Sequence, residues 1–521
     1  AGTDPSGGAG IQADIKTIDA FCTALLRENV HLLDEGQGLT ADFRVLDQNE
    51  AMLLRRRVLP RVLERFYTDM SPGAEQLADA FGFGRDDSRL EELVLELYGK
   101  VQSHPYPERW LEEQKAGWAE LPGDAGETAW GRELLDGLAR KALHWARLLR
   151  GGVEQMDPSL LRSYGSCFSQ VAGQLEALAE GTRMGWDTAA ARVVQFPRLT
   201  AARKCEYPEL KTRMKGLWDR CKAEMGAACA VLDVTGAEAA EDLRRSAPAM
   251  EALLALCVDF SAAYQKEKLR RNAADFSDQE HYAVRLLLGE DGAPTELARV
   301  VSGRYREVMV DEYQDTNQVQ NCVFDAISHQ GRTLFTVGDM KQSIYRFRLA
   351  DPSIFLKKYR AYPPAAEADE GEPRKILLSQ NFRSRQPVLD AVNFVFEAIM
   401  SQEMGELDYG EEERLNFGAA YLPPREDCQT EFHLLTLPRD KEVRHVPGAL
   451  AEARFVAERI ARLLEEGYPV TDGDTGQLRP CRPEDIVVLM RSPNPRLRHY
   501  TRALAERGIP CGVQEDEDFF S

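Results

Sequence analysis

Three apolar residues, Val308-Met309-Val310, run directly into two carboxylates, Asp311-Glu312, and no other feature of the chain restricts its fold as tightly. A short, wholly apolar run belongs inside a packed layer, whereas adjacent ionised side chains must reach water or a cation. A buried strand whose C-terminal end opens at a sheet edge meets both demands, and that edge is where α/β proteins bind ligands. About twenty-five residues on, Thr333-Leu334-Phe335-Thr336-Val337 repeats the device and runs into Gly338-Asp339. Ile376-Leu377-Leu378 and Ile486-Val487-Val488-Leu489-Met490 read as further strands of this kind, separated by helical segments. The pattern predicts buried parallel strands in an α/β architecture.

The 521 residues exceed what one hydrophobic core supports, which predicts three or four domains. A hydrophobic fraction of 43% with 29% charged residues excludes wholesale disorder. The net charge of -20 excludes a uniformly basic nucleic-acid binder but leaves room for a local basic groove. No stretch approaches the roughly 18–20 unbroken apolar residues of a membrane span. The N-terminus lacks a charged-then-apolar signal pattern. Ten cysteines occur without a C-x-x-C pair, which argues against a zinc site or a disulfide framework. The expectation is a reduced, cytoplasmic protein with no membrane contact.

Residues 41–275 are rich in Leu, Ala, Glu and Arg and carry repeated three-and-four apolar spacing, as in Ala51 to Tyr67 and Leu90 to Val101. They predict an all-helical domain holding all six tryptophans, first read as core packing. Helical spacing also marks Thr17 to His31, Val388 to Met400, Ala449 to Glu466 and Leu497 to Arg507.

Nucleotide hydrolysis needs a carboxylate pair such as Asp311-Glu312: one member holds Mg²⁺ through water, the other orients and deprotonates the attacking water. Asp-Glu alone fits a strand and polar turn equally well; the attached Tyr313-Gln314-Asp315-Thr316 favours the functional reading. After the second strand, Gln342 is an amide able to contact a terminal phosphate. Tyr345, Arg346, Phe347 and Arg348 alternate rings and cations in the manner that suits a single nucleic-acid strand. Between Arg332 and Arg360 seven Lys or Arg face two Asp, a local excess of five positive charges. A solvated basic face with Tyr345 or Phe347 in the core is the alternative. In the third cluster, Ser379 to Ser384, Arg383 could neutralise charge on a transferring phosphoryl group, or the segment is a helix-capping turn.

In this order and spacing the three clusters resemble the UvrD/RecB-like superfamily of ATP-dependent DNA helicases, and more closely the AddA-type helicase–nuclease subunit of double-strand-break processing. Thr17-Ile18-Asp19-Ala20-Phe21-Cys22, Phe43 to Asp47, Phe81 to Asp87, Asp275 to His281 and Arg346 to Pro352 also fit. The resemblance implies RecA-like parallel-sheet motor domains with a large helical insertion, ATP and Mg²⁺ as cofactors, DNA as substrate and, as partner, an AddB-type nuclease subunit. It implies that Asp311 serves Mg²⁺, Glu312 activates water, Gln342 senses the γ-phosphate and Arg383 contacts it from the second motor domain. Phe382 would stack on adenine. Thr17, Tyr345, Arg346, Phe347 and Arg348 would contact DNA, with movement 3′ to 5′.

Two departures accompany the resemblance. The phosphate loop G-x-x-x-x-G-K-[ST] is missing: Lys16-Thr17 is present, but β-branched Ile15 stands where glycine is required. Residues 1–17 instead resemble the opening of a hydroxymethylpyrimidine (phosphate) kinase. The pattern also stops before the family's later motifs. The organisation expected is a kinase-like stub over 1–16, motor fragments over 17–40 and 276–378, the helical insertion over 41–275 and a partial second motor domain over 379–521. On this reading the chain is inactive alone, and the alternatives are an ATPase-dead single-strand-binding module or a pyrimidine kinase.

Overall fold

The computed structural model describes residues 15–33, 38–81, 88–200, 207–346, 349–419, 428–437, 448–472, 475–492 and 495–513. The kinase-like opening, apart from its last residues, lies outside them, as do Phe347 and Arg348. The chain divides into two compact units, Ala1–Leu377 and Leu378–Ser521.

In the first unit, β1 (Arg44–Val45) and β2 (Ala273–Ala274) form a parallel ladder, extended by the Leu46 amide donating to the Ala274 carbonyl at 2.9 Å. Everything between these strands is helical and encloses two cores. One is built from helices Gln48–Thr68, Ser88–Val101 and Gly236–Arg270, around Val58, Leu90, Val94, Phe260 and Tyr264. The other joins helices Ala129–Glu154, Ser166–Met184 and Pro208–Cys229 around Leu149, Phe168, Leu175 and Trp218. Trp145, Trp186 and Trp218 are buried as expected, but Trp130 is exposed and packs on Trp118 with ring centroids 4.7 Å apart. Helix Gly236–Arg270, set by a Thr235/Glu238 capping box, is long and apolar enough to cross a membrane. It buries Leu253, Leu256, Phe260 and Tyr264 among its neighbours.

Where this helix ends, charge is buried. Lys268 is fully enclosed, with Nζ 2.5 Å from Asp278 Oδ1, 3.4 Å from Asp275 Oδ2 and 4.2 Å from the centre of the Tyr264 ring. The Tyr264 hydroxyl and Arg55 also donate to Asp275 Oδ2, at 2.9 and 3.3 Å. Burial opposes ionisation of Asp275, but Lys268 and Arg55 hold it well below the usual carboxylate range. Burial, then the neighbouring Asp275 charge, pushes Asp278 up.

A third core packs helices Ile18–Asn29, Phe276–Leu287, Glu296–Ser302 and Gln318–Ile327 beneath β3 (Val308–Val310). β3 pairs in parallel with β4 (Leu334–Thr336), Met309 opposite Phe335. The parallel strand–helix–strand unit matches the sequence pattern, but complete burial does not. One face is covered, while Met309 and Phe335 on the other are 68% and 51% exposed.

In the second unit, β5 (Gln380–Asn381) is parallel to β6 (Asn416–Phe417), and β7 (Pro469–Thr471) is antiparallel to β8 (Leu478–Pro480). Helices Gly448–Glu465 and Leu497–Ala505 share a small core of Ala453, Ala457, Tyr500 and Leu504. Two expectations are corrected here. Ile376–Leu378 and Ile486–Met490 pair with no strand among the described residues, and Leu378 and Leu489 are 85% and 89% exposed. Ile486, Val488 and Met490 pack on the small core while Val487 and Leu489 point away, so the run keeps strand periodicity with one face open.

Candidate active site

The backbone reverses at the end of β3. Glu312 adopts a left-handed conformation, φ 50° and ψ 39°, before the 3₁₀ turn Tyr313–Asp315. For a residue with a Cβ this costs about 1–2 kcal/mol, so the surroundings must hold it. The Glu312 amide donates to Asp311 Oδ1 at 2.9 Å, and the Tyr313 amide donates to the Val337 carbonyl at 2.9 Å. Tyr313 is buried against Phe355, donates its hydroxyl to Asn321 Oδ1 and lies beneath Lys358 Nζ, 4.8 Å from the ring centre. This anchoring leaves both carboxylates of Asp311 and Glu312 exposed in a cleft of about 400 Å³.

Thr17, Asp311 and Glu312 line this cleft together, with Lys16, Phe21, Tyr305, Asp315 and Gln320 also on its walls. The Thr17 hydroxyl caps helix Ile18–Asn29 by accepting the Ala20 amide at 3.2 Å. The carboxyl of Asp315 is pushed up by burial and by the neighbouring Glu312.

Gln342 stands on the loop after β4, outside the cleft wall, and donates to Asp339 Oδ2 at 3.1 Å. Lys341 Nζ bonds the other Asp339 oxygen at 2.8 Å. Burial raises the Asp339 carboxyl, but these bonds outweigh it and hold the group below the usual range. Tyr345 and Arg346 follow on the same loop with exposed side chains.

One residue not singled out from sequence joins the two strand ends. Gln314, 1% exposed, donates from Nε2 to Glu312 Oε2 at 2.7 Å and accepts the Asp339 amide on Oε1 at 3.0 Å. The only signal for it in the sequence is an amide placed between acidic residues.

In the second unit, Asn381 Oδ1 accepts the amides of Arg383 and Ser384 at 3.0 and 2.8 Å. This turn leads into helix Gln386–Ile399 and presents Phe382 and Arg383 with exposed side chains. The Phe382 ring lies over Gly418, where an added Cβ would come within 2.8 Å of it.

Similar sequences occur in known proteins. A protein of Ruminiclostridium cellulolyticum, named the A-type component of an ATP-dependent helicase/nuclease, is 33% identical over 98% of this chain and 44% of its own length. Proteins of the same name from Acetivibrio thermocellus and Desulforudis audaxviator are 33% and 36% identical, again over 98% of this chain and 44% and 43% of theirs. The chain thus spans less than half the length of these relatives. The sequence profile of the UvrD/REP helicase N-terminal domain matches residues 7–363, which include the cleft, both carboxylates and the loop after β4. The chain belongs to the UvrD/REP helicase family.

Proposed function

We propose that this chain is motor sequence of an AddA-like subunit, built on RecA-like domains, that couples ATP hydrolysis to movement along single-stranded DNA in double-strand-break repair beside an AddB-type nuclease subunit. The observation that carries the reading is the exposed Asp311–Glu312 pair at the mouth of a cleft, bonded through one buried amide to the loop bearing Gln342. An exposed carboxylate at the C-terminal end of a strand suits a hydrated Mg²⁺, and Asp311 is the residue to hold it. Mg²⁺ supplies charge neutralisation on the phosphates.

The chain's own residues do the rest. Glu312, held clear of the strand by its left-handed backbone, accepts a proton from the water that attacks the γ-phosphorus. Gln342 reports the terminal phosphate to Tyr345 and Arg346 on the same loop, and Phe347 and Arg348 extend that path along DNA. Arg383 adds positive charge to the transferring phosphoryl group and Phe382 covers the adenine. Thr17 contributes to the DNA-contacting segment.

The test is ATP hydrolysis by the chain, with and without single-stranded DNA, beside Glu312→Gln. DNA-stimulated turnover that falls at least a hundredfold in the variant supports the reading. Salt-sensitive single-strand binding without turnover would make the chain a binding module instead. Phosphorylation of a pyrimidine alcohol without DNA would overturn both.

A further inference from the structure

We propose that Gln314 is a positioning residue for hydrolysis. Its side-chain amide couples the water-activating carboxylate of Glu312 to the loop carrying Gln342 and Tyr345, so that what this loop contacts is felt at the attacking water. The inference rests on the function proposed above and names a part of that machinery in which Gln314 touches no substrate.

The geometry leaves the amide one orientation. With Nε2 on Glu312 Oε2 and Oε1 on the Asp339 amide, a donor meets a carboxylate and an acceptor meets an N–H. Flipping the group would set carbonyl oxygen against carboxylate and NH₂ against N–H, losing both bonds at a site 1% exposed, where no water replaces them. The two partners lie on different strand ends: Glu312 follows β3 and Asp339 follows β4. Asp339 is in turn bonded to the Lys341 amide, to Lys341 Nζ and to Gln342 Nε2. A continuous hydrogen-bonded path therefore runs from the Glu312 carboxylate through Gln314 and Asp339 to Gln342.

Gly338 makes the path possible. A Cβ there would stand 2.6 Å from Gln314 Oε1 and 3.2 Å from the Gln314 backbone nitrogen. Any side chain at 338 would push the amide off its partners. Glu312 adds a second reason to need the tether, since its left-handed backbone leaves its side chain without support from a regular element.

Three variants separate the parts of the path. Gln314→Met keeps the volume and loses both bonds. Gln314→Glu keeps the acceptor for Asp339 but sets a like charge against Glu312. Gly338→Ala leaves Gln314 intact and displaces it. Each is measured in the full chain by amide hydrogen exchange at Asp339 and by steady-state ATPase with single-stranded DNA. Gln314→Met and Gly338→Ala should speed Asp339 exchange about fivefold or more, the worth of one hydrogen bond, whereas Gln314→Glu leaves it near wild type. All three should lower kcat at least tenfold, with KM for ATP and DNA affinity changed less than twofold. A KM that rises as much as kcat falls, or Asp339 exchange unchanged in Gln314→Met, overturns the proposal. If the wild-type chain shows no turnover, the hydrolysis reading fails with the coupling to it, and the exchange arm alone decides whether Gln314 tethers the two strand ends.

Discussion

Replacing Lys268 by Met is the sharpest test of how the helical part is joined to the rest of the first unit. Methionine keeps most of the aliphatic length, so little cavity is created and the loss is that of the charge. Lys268 is the only fully enclosed cation among the described residues, and its ammonium serves Asp278 and Asp275 simultaneously. Without it, Asp278 keeps only the Asp275 amide, and Asp275 keeps Arg55 and Tyr264. Removing one member of a buried ion group costs about 3–5 kcal/mol, because the partner charge is stranded. At about 2–4 °C per kcal/mol for a unit of this class, the melting transition should fall by roughly 6–20 °C. Stranded carboxyls take up protons more readily than salt-bridged ones, so the deficit should shrink on acidification, by up to about 1.4 kcal/mol per pH unit. The assay is thermal unfolding followed by circular dichroism at pH 5, 6, 7 and 8. A loss below about 1 kcal/mol at pH 7, or one independent of pH, would refute the assignment of Lys268 as the counter-charge of this cluster.

Two further outcomes follow from the packing. Burial pushes the carboxyl of Glu280 up to about 7, although Gln320 and Asn317 donate to it. Its folded-state value lies above the unfolded one, so below both values it costs nothing; the penalty grows as pH rises through the interval between them and is complete above about 7. The first unit should therefore be more stable at pH 5 than at pH 8 by this group, and Glu280→Gln should flatten that slope in urea titrations. In the second unit, Val488→Ala should destabilise by about 1–2 kcal/mol because Val488 packs on the small core, while Leu489→Ser should change stability by less than about 0.5 kcal/mol; equal effects in a denaturant series would contradict the one-sided packing.

The unit around β3 was legible because its residues conflict: apolar Val308–Val310 and ionised Asp311–Glu312 have a common solution only at a strand end. The helical stretch was legible from periodicity alone. Ile376–Leu378 and Ile486–Met490 were over-read, since an apolar run reports a preference for burial and not whether a second strand lies alongside to take its hydrogen bonds. Gln314 escaped for a different reason. Its meaning depends on the Asp339 amide, twenty-five positions away, and backbone groups leave no trace in composition or spacing. The Lys268 cluster was hidden in the same way, its members drawn from three helices or their caps.

The ladder of β1 and β2 has a consequence for how such a protein can change size. Because Val45 and Ala274 are hydrogen-bonded neighbours, the helical part leaves and re-enters the motor fold at one point, as a loop closed at its neck. Closure entropy grows only with the logarithm of loop length, about 0.6 kcal/mol per doubling, so stretching a ten-residue connection beyond two hundred costs only about 3 kcal/mol. Helices can be gained, lost or lengthened beyond the neck without asking the motor to refold. The neck has no such freedom: Ala273 and Ala274 are fully enclosed, and a larger side chain at either would pry the two strands apart.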